Sequence, residues 1–252
     1  MHDNSRPDRS AVLEILEQQE GHRLQGANLS GLDLTGTQFR FLSLEGVRFD
    51  GANLTGCLFQ HVDLSGASLR NVQLDRSALR FVRASGTDFH NLHAYDTDWH
   101  WSSLTEADFS SARLKRTRFH NSSLEQATFD EADLSLGALT WSILDGVSFH
   151  ETNLQDVETL GSSFRGANLS TARDFAFCRE IVLEILSREA DESLETMQWL
   201  GAGTLMRQWC YPVWADLLKD RPQLEQMIRA FRQYPNSGCL EALREHKHTS
   251  GT

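Results

Sequence analysis

The sequence predicts a mainly β solenoid: a four-sided β-helix, opened by a short capping helix and followed by an all-α domain. Three observations predict it. From Leu24 to Leu169 every fifth residue is large and apolar with few exceptions, 17 Leu and 9 Phe in 30 positions. Eight of the nine Phe (Phe39, Phe49, Phe59, Phe89, Phe109, Phe119, Phe129 and Phe149) fall at positions separated by multiples of ten. After Arg173 the five-residue beat stops and helical spacing replaces it.

A period of five suits neither regular element. On an α-helix it would step around by about 500° per repeat and smear the Leu and Phe over every face. On a straight strand, an odd period sends alternate residues to opposite faces. All of them reach one core only if the chain turns a corner once per repeat. The ten-residue alternation of Phe calls for an even number of sides with opposite sides alike, and four is the smallest such number that encloses a core. The residue two before each Leu or Phe is Ala, Val, Ser, Thr, Cys or Gly in 26 of 30 cases, small enough for an inward bend. Asn, Asp, Gln or Ser often stands just before the Leu or Phe, and Gly often two after it, as turns require.

The triplets Ala27-Asn28-Leu29, Ala52-Asn53-Leu54, Ala107-Asp108-Phe109, Ala132-Asp133-Leu134 and Ala167-Asn168-Leu169 resemble the motif of the pentapeptide repeat family. The resemblance covers residues 21–173. It implies a right-handed quadrilateral β-helix, here of about 7.5 coils, each about 4.8 Å from the next. The predicted organisation is a tail and capping helix over 1–20, the repeat over 21–173, a helical domain over 174–246 and a disordered tail over 247–252.

One coil departs from the beat. Its inward residues are Ala84, Phe89, Ala94 and Trp99, between coils that read Leu64-Leu69-Leu74-Leu79 and Leu104-Phe109-Leu114-Phe119. The two alanines are expected to leave the volume that Trp99 fills, so that packing density is kept.

Both ends of such a rod expose strand edges that invite polymerisation. At the first end, residues 10–20 read as an amphipathic helix with Ser10 as N-cap, a stripe of Val12, Ile15 and Leu16, and Gly21 past its end. At the other end, helices are expected over 175–189, 192–209, 211–219, 222–234 and 239–245. Trp199, Trp209 and Trp214 fall within them. This region reads as a helical core that also suits homodimer contacts.

No catalytic motif is present: no GxSxG, P-loop, HExxH, or GxGxxG after a strand. Cys210 lacks a nearby His or Asn to activate it. His100 and His120, twenty residues apart, are expected to stack on adjacent coils, but no third metal ligand is evident. No cofactor, metal or enzymatic activity is predicted. Four Cys without CxxC spacing, no apolar leader and no long apolar run point to a reduced cytoplasmic protein.

The formal charge is −11. The repeat holds 18 acidic and 13 basic residues, net −5, with no basic stripe, so direct nucleic-acid binding is not expected. The outward signal is aromatic instead. Phe41, His61, Phe81, Trp101, Asn121 and Trp141 recur every twenty residues along one edge, with Arg40, Arg80, Arg118 and His100 beside them. That composition is typical of an interface hot spot. The same rings could instead form stacked ladders or lie under the helical domain.

The predicted function is a non-catalytic protein-binding scaffold, with Phe41, Phe81, Trp101, Trp141, Arg40, Arg80 and Arg118 as its contact residues. The resemblance also implies an alternative: a DNA-mimic protein that binds DNA gyrase or topoisomerase IV and confers resistance to topoisomerase poisons.

Overall fold

The computed structural model describes residues 7–176, 178–188 and 228–239. Six strands lie in one parallel sheet in chain order: β1 (Gln38–Ser43), β2 (Leu58–Asp63), β3 (Ala78–Arg80), β4 (Asp98–His100), β5 (Arg118–His120) and β6 (Ala138–Thr140). Each pairs with the next at a register of twenty: Phe39 faces Phe59, Leu79 faces Trp99 and Phe119 faces Leu139. The result is a parallel β-solenoid of about five turns over residues 38–140. Isolated bridges keep the same register outside the strands, from Asn28 opposite Arg48 to Asn153 opposite Arg173.

The corners have one backbone signature. From Gly26 to Gly166 every fifth residue, two beyond each Leu or Phe, has a left-handed φ between 51° and 74°. Four such corners in each twenty-residue coil make it four-sided. The small residue that follows each corner points inward. Its hydroxyl, where it has one, ties coils together: Thr87, Thr97 and Thr152 donate to the carbonyls of Leu64, Leu74 and Phe129 at 2.7, 2.9 and 2.7 Å.

Inside, the Phe residues stack along the rod and meet edge-on across it. Phe39 and Phe59 stack at 4.7 Å, as do Phe89 and Phe109. Phe39 and Phe49, on opposite sides of one coil, touch edge-to-face at 6.0 Å, and Phe119 and Phe129 likewise at 6.0 Å. The ten-residue alternation is therefore a packing device, since such edge-to-face pairs are favoured by the ring quadrupole.

The N-terminal cap is a helix, α1 (Arg9–Glu17), that begins earlier than its sequence suggests. Its N-cap is Asp8, whose carboxylate accepts from the Ala11 amide at 2.8 Å, and not Ser10. Asp8 is one residue before the first helical turn, where an acidic acceptor also meets the positive end of the helix dipole. Val12 and Ile15 are buried on the first coil. Arg9 donates to the Asp33 and Thr35 carbonyls at 2.6 and 3.4 Å, covering part of the raw edge. Gln19 takes the left-handed conformation after the helix, and Gly21 opens a 3-10 turn, Gly21–Leu24, that leads into the coils.

At the other end α2 (Arg179–Arg188) packs Ile181, Val182, Ile185 and Leu186 into the core. It starts four residues later than Phe175, because residues 174–176 are occupied elsewhere. The Asp174 and Ala176 amides donate to the carbonyls of Asn236 and Ser237 at 2.9 and 3.0 Å. Glu180 explains why Thr159 interrupts the apolar beat: its carboxylate accepts from the Thr159 hydroxyl at 2.6 Å and the Gly161 amide at 3.0 Å. Arg188 donates to the Ala167 and Phe164 carbonyls at 3.2 and 3.3 Å. The helices expected over 192–209 and 211–219, Cys210, the three C-terminal Trp and the tail lie outside the described residues, as do 222–227 and 240–245; of the helix expected over 222–234, residues 228–231 are helical and the chain turns at 232.

Candidate protein-binding face

The corner signature changes the meaning of the aromatic column. Phe41, Phe81, Trp101 and Trp141 all sit at left-handed corners, with φ of 53°, 55°, 56° and 55°. That conformation brings Cβ against the following carbonyl and costs an L-residue about 1–2 kcal/mol. The same register in the neighbouring column holds Gly26, Gly46, Gly66 and Gly86, which avoid the clash. Here the chain places its bulkiest side chains instead and leaves them in solvent: Phe41, Phe81, Trp101 and Trp141 are 73%, 46%, 57% and 61% exposed.

The rings stack partly on each other. Phe41 lies on His61 at 5.0 Å and His61 on Phe81 at 4.7 Å, the latter with planes 2° apart. A Cβ on Gly161 would fall 2.5–2.8 Å from three adjacent atoms of the Trp141 indole, so that ring lies over the next corner. The ladder thus takes in the first three rings of the exposed stripe, and no described C-terminal residue covers it. Beside Phe41, His61 and Phe81 runs a groove of about 350 Å³, walled by Leu42, Val62 and Arg83.

The cations divide. Arg40 and Arg80 are exposed. Arg118 is engaged: it bonds Asp98 at 2.5 Å and Asp96 at 3.3 Å, which holds its proton more firmly than usual. It therefore serves the rod's own surface and is less available to a partner than Arg40 or Arg80.

His100 and His120 lie on adjacent coils with ring centroids 4.9 Å apart, but their planes are tilted by 33°. His120 Nδ1 pairs with the Thr140 hydroxyl. Burial pushes the His100 imidazole below the usual 6.5; His120, Arg80 and Arg118 push the same way and Asp98 opposes them. The folded state thus prefers neutral His100. As pH falls through 6.5 the unfolded chain takes up this proton first, so the contribution is complete above 6.5 and lost toward the lowered value. Urea unfolding at pH values on either side of 6.5 is expected to show this loss, and His100→Gln is expected to reduce it.

The spacing of twenty places Phe41, His61 and Phe81 in one stack. It missed the backbone strain under it.

Profiles for the pentapeptide repeat region match residues 52–129, and profiles for pentapeptide repeats in eight copies match 23–56 and 138–170. The chain belongs to the pentapeptide repeat family. Among solved structures, this pentapeptide repeat protein is similar to a trypsin-treated form of QnrB1, a plasmid-mediated fluoroquinolone resistance protein. The two are 22% identical over 68% of this chain and 92% of that one, with a TM-score of 0.35. It is also similar to HetL, a pentapeptide repeat protein involved in heterocyst differentiation regulation in the cyanobacterium Nostoc, at 20% identity over 66% and 96% and a TM-score of 0.20. A third is Rfr23 from the cyanobacterium Cyanothece, at 22% identity over 61% and 99% and a TM-score of 0.26. No curated protein matches the chain. Among the described residues, no helix is long and apolar enough to cross a membrane.

Proposed function

We propose that this pentapeptide repeat protein is a non-catalytic scaffold that binds a protein partner through its aromatic edge. In this reading the repeat is the family's right-handed quadrilateral helix, about 7.5 coils long. The contact residues are Phe41, Phe81, Trp101 and Trp141, with Arg40 and Arg80 at the rim. One observation carries the reading: four large aromatic side chains of one column, Phe41, Phe81, Trp101 and Trp141, stand exposed to solvent. The left-handed corner is common to the whole coil, so the reading rests on the exposure and alignment of the rings and not on the backbone beneath them. The exposed rings supply the anchors from which hot spots are built.

The double variant Trp101→Ser/Trp141→Ser is expected to lose its partner in quantitative pull-downs from the native host. Its unfolding free energy should change by less than about 1 kcal/mol per site, as for other surface substitutions. Unchanged capture would overturn the proposal. The DNA-mimic alternative makes a different prediction, inhibition or protection of purified gyrase in a supercoiling assay with and without a quinolone. Its dimer contact through 174–246 falls mostly outside the described residues. The mild net charge of the repeat, −5 against one charge per about 1.7 Å of duplex, favours the scaffold.

A further inference from the structure

The first strand of the solenoid has an open edge at Gln38–Arg40, while at Leu42 the edge is covered by Gly21. In later coils the amide in the Gln38 column donates to the carbonyl 21 residues earlier: Leu58 to Thr37 at 3.1 Å and Ala78 to Cys57 at 3.0 Å. The carbonyl in the Arg40 column accepts from the amide 19 residues earlier, as His100 does from Phe81 at 2.9 Å. For β1 those partners would be residues 17 and 21. Residue 17 ends α1 and residue 21 begins the 3-10 turn, and among the described residues no hydrogen bond reaches the Gln38 amide or the Arg40 carbonyl. The chain has left the ladder one coil too early.

A second observation marks the same missing rung. Thr37 is buried, yet its hydroxyl has no hydrogen-bond partner. Ser77, Thr87 and Thr97 each reach the carbonyl 23 residues earlier, at 2.8, 2.7 and 2.9 Å. The equivalent of that carbonyl for Thr37 is absent because residue 14 is in α1.

A groove of about 670 Å³ lies along this edge, between Leu16, Gln19 and His22 on the cap and Gln38, Arg40 and Phe41 on β1. Its lining has one Arg, one His and no carboxylate, in a chain of net charge −11. Its outer lip is Phe41, whose far face begins the Phe41–His61–Phe81 stack.

We propose that an extended segment of a partner protein, carrying an aromatic residue flanked by acidic ones, adds as a strand to the open edge of β1. This deepens the scaffold reading, since Phe41 and Arg40 belong to both sites. Main-chain bonds to the Gln38 amide and Arg40 carbonyl hold the segment, as in other strand additions. Its aromatic side chain continues the stack on Phe41, and its carboxylates meet Arg40. The absence of carboxylates in the lining selects against basic segments.

The test uses the full chain and the fluorescein-labelled peptide SEVEFEVS, read by anisotropy, with the lysine analogue SKVKFKVS as control. The acidic peptide is expected to bind and the basic one not to. Gln38→Pro, which removes the unpaired amide but no bond to β2, and Phe41→Ser are each expected to weaken binding roughly tenfold. In amide exchange, the Gln38 amide should exchange fast in the free chain and slow when the peptide is present. Equal binding of both peptides, or binding unaffected by Gln38→Pro, would overturn the proposal. So would slow exchange of Gln38 in the free chain, which would mean that the chain's own terminus or a second copy already fills the edge. Loss of peptide binding on Trp101→Ser/Trp141→Ser but not on Gln38→Pro would reject the edge while leaving the scaffold reading standing.

Discussion

Truncating Trp99 to alanine is expected to lower the unfolding free energy by about 3–5 kcal/mol, the range for an aromatic ring removed from a packed core. Trp99 is fully buried, with Phe89, Phe109 and Phe119 at 5.5, 6.1 and 5.8 Å. Its indole Nε1–H has no acceptor among the described residues, a cost of about 1–3 kcal/mol that its packing must outweigh. Ala84 and Ala94 in the same coil are also fully buried. If they make room for the indole, Ala84→Leu overpacks the coil by about 1–3 kcal/mol. Trp99→Leu should then restore part of that loss. Urea denaturation of the two single variants and the double variant forms the cycle. Strict additivity would show that the alanines and Trp99 are independent.

The second large effect concerns one methyl group. Gly137→Ala would place a Cβ 2.6 Å from the Thr117 carbonyl oxygen and 2.8 Å from that of Leu134. Both obstacles are backbone, so no side chain can swing away. Gly137 does not have a left-handed φ, and the penalty is therefore steric and not conformational. Thr97 and Thr117 occupy the same register in earlier coils, so this coil closes more tightly than its neighbours. A loss of about 1–3 kcal/mol is expected, as for other overpacked interiors. An unfolding midpoint equal to that of the parent chain would show that the backbone relaxes freely. Because each coil contacts only its neighbours, local fraying should begin near this site.

Particular residues show how far the sequence could be read. Leu24 to Leu169 disclosed the coil, because a buried column must recur at the period of the turn. Phe39 and Phe49 disclosed opposed sides, because aromatic rings prefer edge contacts across a narrow core. Ser10 misled, since Asp8 is a cap of equal quality and only the fitted helix decides between them. Thr159 breaks the apolar beat because its partner, Glu180, stands 21 residues away. Arg118 looked like a free cation until Asp96 and Asp98 were placed around it. Contacts between residues about twenty apart lie beyond any local pattern except the one that repeats.

The amino-acid sequence by itself determined the period, the four corners, the buried columns and the alignment of Phe41, Phe81, Trp101 and Trp141 on one edge. These follow from counting, because the coil repeats every twenty residues. The tertiary structure alone decided that the aromatic corners are left-handed, that Phe41 and Phe81 stack on His61 while all four rings stay exposed, and that β1 ends the ladder with unpaired backbone groups. The physical reason is that hydrogen bonding between coils is a property of the neighbouring coil, and at Gln38 and Thr37 that neighbour is replaced by a helix.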